Sequence, residues 1–251
     1  MSDNEPLTPG RVSRAWNSRP VFIGAAIVIA IAVLVVAAAT ITALTSPKSG
    51  THAAATASPA ATSSASGGCS VPVGSMSSTP KMPSDLTFKA GKSGLSWPVS
   101  RTVGPTRVID GFDSCFARSP LGAALAAQTA IYSQYDPSHT IQAALGHYIV
   151  DSPGKAKSIA SAVAAGDPSQ VQSIGLTPAG FTVDSFTSTR AAVTLVYVLP
   201  SSATGYVGEA CSMVWVDGDW NLSVLDNGSL TGGSATTPSK GDFVAWSGGS
   251  N

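Results

Sequence analysis

Three cysteines, three histidines and a handful of acids are the side chains in this 251-residue sequence whose types and spacing could do chemistry. Cys115 lies in "SCFARSPLGAALAAQ" (Ser114 to Gln128), a few residues ahead of Ser119-Pro120, with Arg118 between them. Ser-Pro reads as a helix start, and a thiol beside a helix N-terminus and a cation is how proteins make a reactive thiolate. In an oxidising compartment the same thiol is half of a disulfide. Location therefore decides between the two chemistries.

The other candidates are weaker. His52 falls in a low-complexity stretch, and His139 and His147 stand eight apart, so they are not an i, i+4 metal pair. They read as surface or cap residues. Asp217, Asp219 and Asp226 crowd a hairpin; turn formation accounts for the first two, and a calcium loop needs more oxygen ligands at fixed spacing. Gln128 and Tyr132, together with Tyr197, could line a pocket between a helix and a sheet, although core packing with satisfied polar tips competes with that reading. No H-E-x-x-H, C-x-x-C, G-x-S-x-G, P-loop or G-x-G-x-x-G occurs. The sequence thus offers no catalytic set, no cofactor motif and no metal set, and a non-enzymatic chain is the expectation.

Val21 to Leu44 run 24 positions without a charge. At about 1.5 Å per residue such a helix crosses a hydrocarbon core of about 30 Å. A signal peptide has an apolar core of only about 7–15 residues and a small-x-small cleavage site, which this run lacks. Arg11, Arg14 and Arg19 precede it and only Lys48 follows closely. The positive-inside rule then puts residues 1–20 in the cytoplasm, 21–44 across the lipid bilayer of the cell membrane, and the rest outside. Residues 45–67 are rich in Ser, Thr, Ala and Pro, cannot bury a core, and read as a disordered stalk. Beyond Gly68 the formal charge is about −2, and no Lys/Arg cluster marks a nucleic-acid surface.

Residues 68–113 read as a loop-rich entry segment, in which Trp97, Val99 and Val108 make short extended contacts with a core. Residues 114–251 read as the extracytoplasmic domain. Its helix starts share one chemistry: Ser119-Pro120, Asp136-Pro137, Ser152-Pro153 and Asp167-Pro168 each place a capping oxygen before a proline at the first helical position. The first helix shows a stripe of Leu121, Leu125, Gln128, Ile131, Tyr132 and Tyr135, and the second a stripe of Ile141, Leu145 and Tyr148. The third, Gly154 to Ala165, is weaker. After Gly175 the period becomes that of strands: "GFTVDSF", "RAAVTLVYVL", "YVGEACSMVWV" and "WNLSVL". Asp217-Gly218 is a two-residue hairpin signal that would set Val216 opposite Asp219 and Trp215 opposite Trp220. "DFVAW" adds a last short strand or simply docks. Helices followed by an antiparallel meander make an α+β domain with the helices packed on one face of a curved sheet.

On this topology Cys69, Cys115 and Cys211 all lie outside. Cys211 alternates with Met213 and Trp215 and should face the core as a small apolar residue. A Cys69–Cys115 bridge would tie the entry segment to the start of the first helix, with Cys115–Cys211 as the competing pair. Arg118 then solvates outward or pairs with Asp110 or Asp113.

The architecture, with a short cytoplasmic tail, one membrane helix, a polar stalk and a helices-then-meander domain, resembles bitopic proteins of conjugative type IV secretion systems. Their outer domain has the cone-shaped nuclear-transport-factor-2-like fold of the VirB assembly-factor class. "GPTRVIDGFDSCFARSPLGAALAA" (Gly104 to Ala127) with "WVDGDWNL" is similar to single-pass proteins of actinobacterial integrative elements. The likeness covers roughly residues 95–226. It implies a structural or assembly subunit of a DNA-transfer channel. Its partners would be other membrane subunits or a second copy of itself, with no direct contact to nucleic acid. The alternative is a small-molecule-binding or sensor domain on a membrane anchor; the fold family also holds isomerases and dehydratases, whose pocket residues do not map onto this chain.

Overall fold

The computed structural model describes residues 69–165 and 167–246. The expected cytoplasmic tail, membrane helix and stalk lie outside the described residues. Among the described residues no helix is long and apolar enough to cross a membrane.

The chain enters through two hairpins. β1 (Leu86–Ala90) pairs antiparallel with β2 (Ser96–Ser100), and β3 (Arg107–Ile109) with β4 (Phe112–Ser114). α1 (Pro120–Tyr132) follows, continued by a 3-10 turn at Ser133–Tyr135, then α2 (Ile141–Tyr148), α3 (Lys155–Ala165) and α4 (Pro168–Ser173). The rest is strand: β5 (Thr177–Phe186), β6 (Arg190–Val198), β7 (Tyr206–Val216), β8 (Asp219–Ser223) and β9 (Val244–Ala245). These five form one antiparallel sheet in the order β8-β7-β6-β5-β9. The α+β class and the meander are as the sequence implies, and "DFVAW" does supply a short strand.

Two of the four proline helix starts form as expected. The Ser119 hydroxyl accepts from the Gly122 N–H, and the Asp167 carboxylate from the Ser169 N–H. The other two are corrected. α2 begins four residues after Pro137, capped by the Thr140 hydroxyl on the Ala143 N–H. Asp136 instead closes a turn, one oxygen accepting from the Ser138 N–H and the other held by Lys89. α3 begins at Lys155, and the buried Ser152 hydroxyl has no partner. A cap oxygen before proline is therefore not sufficient for a helix start: Asp136 accepts from the residue two positions on, as Asp167 does, yet the chain turns there.

The entry segment is more ordered than its Pro/Gly content implies. All thirteen residues of α1 are buried, not a single stripe. The helix lies between β2 on one side and strands β5, β6, β7 and β8 on the other. Trp97 of β2 is 1% exposed and packs beside Tyr132, ring centroids 6.1 Å apart. A helix apolar all round needs cover all round, and the alanines of "LGAALAA" keep it thin enough for two layers to close on it. The entry hairpin supplies the second cover.

The last hairpin forms in the expected register, with Trp215 opposite Trp220 and Val216 opposite Asp219. The two tryptophans meet edge to face at 5.2 Å. Asp217 and Gly218 have φ of 51° and 87°, the two positive values that a tight I′ turn requires. β6 is central and covered twice: Val193, Leu195 and Tyr197 face the helices, and Val196, on the other face, is also fully buried.

Candidate functional site

Cys69 and Cys115 are joined, with Cα atoms 5.0 Å apart, and Cys211 is free and buried. Cys115 sits in the left-handed region at φ 72°, a conformation that costs a non-glycine residue roughly 1–2 kcal/mol. Asp219 holds it there. Its carboxylate accepts from the N–H groups of Cys115, Phe116 and Trp220. Beside it the Trp220 indole N–H donates to the Ala117 carbonyl at 3.0 Å. Burial pushes the Asp219 carboxyl up, and the three backbone N–H groups pull against that rise. Turn formation is thus only part of what Asp219 does; its main contacts lie more than a hundred residues back along the chain. The Cys69, Cys115 and Asp219 ligand-type atoms lie within 4.8 Å of one another, but the sulfurs are spent on each other and the carboxylate on the N–H groups, so the trio fits no metal. Arg118 pairs with neither expected acid: its Nε donates to the Ser188 carbonyl and its guanidinium lies 5.0 Å over Trp215.

Beside the disulfide, Phe112 of β4 stands between the two histidines. His139 stacks on it at 4.2 Å and His147 at 4.3 Å, and Tyr148 meets it edge-on. Both histidines therefore do more than cap or face solvent; they clamp the β3–β4 hairpin. Burial lowers the His147 pKa, helped by His139 and Lys155 and opposed by Asp110. Lys89 reaches Asp113 at 2.6 Å and Asp136 at 2.7 Å, closing the first hairpin onto the second and onto the end of the long helix. Burial disfavours the Lys89 ammonium, but the two carboxylates outweigh it and raise its pKa; burial likewise opposes ionised Asp136, and Lys89 and Ser138 hold its carboxyl below the usual range.

The residues expected to line a pocket do meet. Gln128 is fully buried, Tyr132 is 2% and Tyr197 1% exposed, and the two tyrosine rings stack at 6.0 Å. Both Gln128 amide atoms, the Tyr132 hydroxyl, the Thr129 hydroxyl and the Trp97 indole nitrogen lack partners. The Gln128 amide is near enough to Tyr197 to favour its phenolate against the dominant effect of burial, yet neither amide atom meets hydrogen-bond geometry. Glu209 joins this set from β7. It alternates with Val207 and Cys211 on the core-facing side of the strand and stands opposite Leu195. The residue is 7% exposed, no described partner meets its carboxyl, and burial pushes that carboxyl up to about 7. Alternation along "YVGEACSMVWV" places Glu209 on the face of Cys211, a signal legible in the sequence but not drawn from it.

Among the described residues, three surface hollows lie around this interior, and none of the three is lined by Gln128, Tyr132 or Tyr197. One of about 460 Å³ lies between Phe88, Pro178, Val198, Tyr206, Phe243 and Trp246, with Lys240 at its side. A second, of about 310 Å³, lies over the disulfide beside His147, Asp217 and Asn221. The third, of about 200 Å³, runs along Ser78, Thr182 and Val244.

Residues 48–245 match the family model described as a domain of unknown function (DUF8175). The chain belongs to this family. The match begins just after the apolar run and spans both entry hairpins, the helices and the whole sheet, so the family's unit includes the disulfide, the Asp219 contacts and all of the 460 Å³ groove's lining except Trp246. No curated protein and no solved structure matches the chain.

Proposed function

We propose that this chain is a non-enzymatic, single-pass membrane subunit of a cell-envelope complex, of the kind that builds conjugative type IV secretion channels. Residues 1–20 would be cytoplasmic and residues from 45 onward extracytoplasmic, with an outer domain of nuclear-transport-factor-2-like, VirB assembly-factor-like shape. Three features support this reading. A long helix laid on an antiparallel meander is the arrangement of that fold, and the disulfide suits an oxidising space outside the cytoplasm. The observation that carries the docking role is the aromatic groove, where Phe88 is 48% exposed beside Tyr206, Phe243 and Trp246. A concave, mostly apolar lining with a polar group at its side is the form that binding sites take.

The test is in-cell crosslinking of the full chain followed by identification of what co-purifies. Recovery of channel or conjugation ATPase subunits from the membrane fraction is the expected result. Recovery of the chain alone, carrying a bound metabolite, would favour a second reading: a small-molecule-binding or sensor domain. That reading draws on the partnerless Gln128 amide and Tyr132 hydroxyl and on Glu209, since buried polar groups without partners cost about 1–3 kcal/mol each unless water or a ligand meets them.

A further inference from the structure

The groove of about 460 Å³ is built by elements distant in sequence. Phe88 comes from β1, Pro178 and Ala179 from β5, Val198 from the end of β6, Tyr206 from the start of β7, and Phe243, Ala245 and Trp246 from the last segment. Trp246 is fully buried and packs on Phe181 at 4.5 Å, forming a fixed floor. Phe243 meets Tyr206 at 5.1 Å, fixing a wall. The last segment can approach this closely because residue 180 is glycine: a Cβ there would lie 2.2 Å from the Val244 carbonyl oxygen and 2.5 Å from the Phe243 ring. Apolar burial is thus available on a rigid surface, the arrangement in which a few anchor side chains carry most of a binding energy.

The charge of the lining is one-sided. Lys240 is its one charged residue, no carboxylate lines it, and Lys240 makes no ion pair among the described residues. A partner that buries an apolar side chain here meets, at the rim, a cation that no described carboxylate pairs with. We propose that the groove docks a partner polypeptide segment that presents a bulky apolar side chain next to an Asp or Glu. The proposal rests on the assembly role above and adds where the contact is made and what chemistry the other subunit brings. The apolar side chain supplies burial against Trp246 and Phe243, and the carboxylate pairs with Lys240 and fixes register, as complementary rim charges do.

The probe is a pair of synthetic peptides, acetyl-Ser-Glu-Phe-Glu-Leu-Phe-Glu-Ser-amide and its counterpart with lysine in place of each glutamate. Each is titrated by fluorescence anisotropy onto the full chain in lipid nanodiscs, with empty nanodiscs subtracted. The acidic peptide should bind about tenfold more tightly than the basic one, and Lys240→Glu should reverse that preference. Phe88→Ser should weaken both peptides. Lys240 and Phe88 are exposed, and unchanged thermal unfolding of the two variants verifies their fold. Equal affinity for the two peptides, no binding, or binding indifferent to both substitutions would overturn the proposal. So would a chain that self-associates and loses this on Phe88→Ser without binding peptide, which would make the occupant a second copy. Full competition by phenylacetate at the peptide's own affinity would overturn it too, in favour of a small-molecule site. Co-purification in cells that survives both substitutions would leave the assembly role standing and remove the groove from it. Peptide binding with no subunit recovered in cells would do the reverse.

Discussion

Glu209 and Asp219 are both buried carboxyl groups, and their surroundings set them apart. Asp219 spends its oxygens on three backbone N–H groups, whereas no donor among the described residues meets the Glu209 carboxyl. For Glu209 the folded chain holds its proton up to about pH 7, while the unfolded chain releases it near the ordinary value of 4.5. Between these two values the native state binds more protons than the unfolded one, so stability falls as pH rises. Urea unfolding followed from pH 4 to pH 8 should show this loss, about 3 kcal/mol at most. Glu209→Gln should flatten the profile and leave the variant more stable than the parent at pH 8. For Asp219 the change to Ala should cost about 2–4 kcal/mol, because it strands buried N–H donors and frees a left-handed Cys115. A lowered urea midpoint with an unchanged slope is the expected readout.

At the scale of elements, the disulfide and the entry hairpins act as one fastening. The bridge closes a ring across 46 positions of sequence separation and joins the first described residue to the turn before α1. Chain-entropy arithmetic gives about 3–4 kcal/mol for a ring of this size. Replacing both Cys69 and Cys115 by serine should lower the unfolding free energy by about that amount, an effect matched by reductant on the parent and absent from the double variant. Differential alkylation should label Cys115 only after reduction. Cys211 should stay unlabelled until the chain unfolds, because burial pushes its thiol pKa far up. The hairpins themselves hold through Trp97 in the core and Lys89 across Asp113 and Asp136, which is why a Pro- and Gly-rich segment is ordered at all.

For the molecule as a whole, the described domain is three layers deep where α1 runs, with a hairpin outside, the helix between and the sheet behind. The described hollows lie at its surface: at the sheet end beside Trp246, over the disulfide beside His147, and along Ser78, Thr182 and Val244. That distribution places interaction chemistry on the outside, in keeping with a docking role for the domain. An anchored chain should stay with membranes after high-salt and carbonate washing, and deletion of residues 21–44 should release it. Release of the full chain by those washes would sink the anchor.

Local signals decide what lies within a few residues of itself, and these were legible. Asp217-Gly218 has one favourable turn, so the register of Trp215 and Trp220 follows from it. The alternation in "YVGEACSMVWV" settles which way Cys211 and Met213 face, and the Ser119 and Asp167 starts follow from a cap and a proline side by side. Cys69–Cys115 is a better pair than Cys115–Cys211 on the sequence because Cys211 sits in an apolar alternation that turns it to the core. What the tertiary structure alone decided involves partners far apart in sequence. Lys89 went to Asp113 and Asp136, Asp219 to Cys115 and Phe116, and Arg118 to Ser188 and Trp215. Phe112 drew both histidines to itself, and the entry hairpin closed over the far side of α1. No periodicity encodes these contacts, because each depends on which charged or aromatic group the folded chain carries within reach.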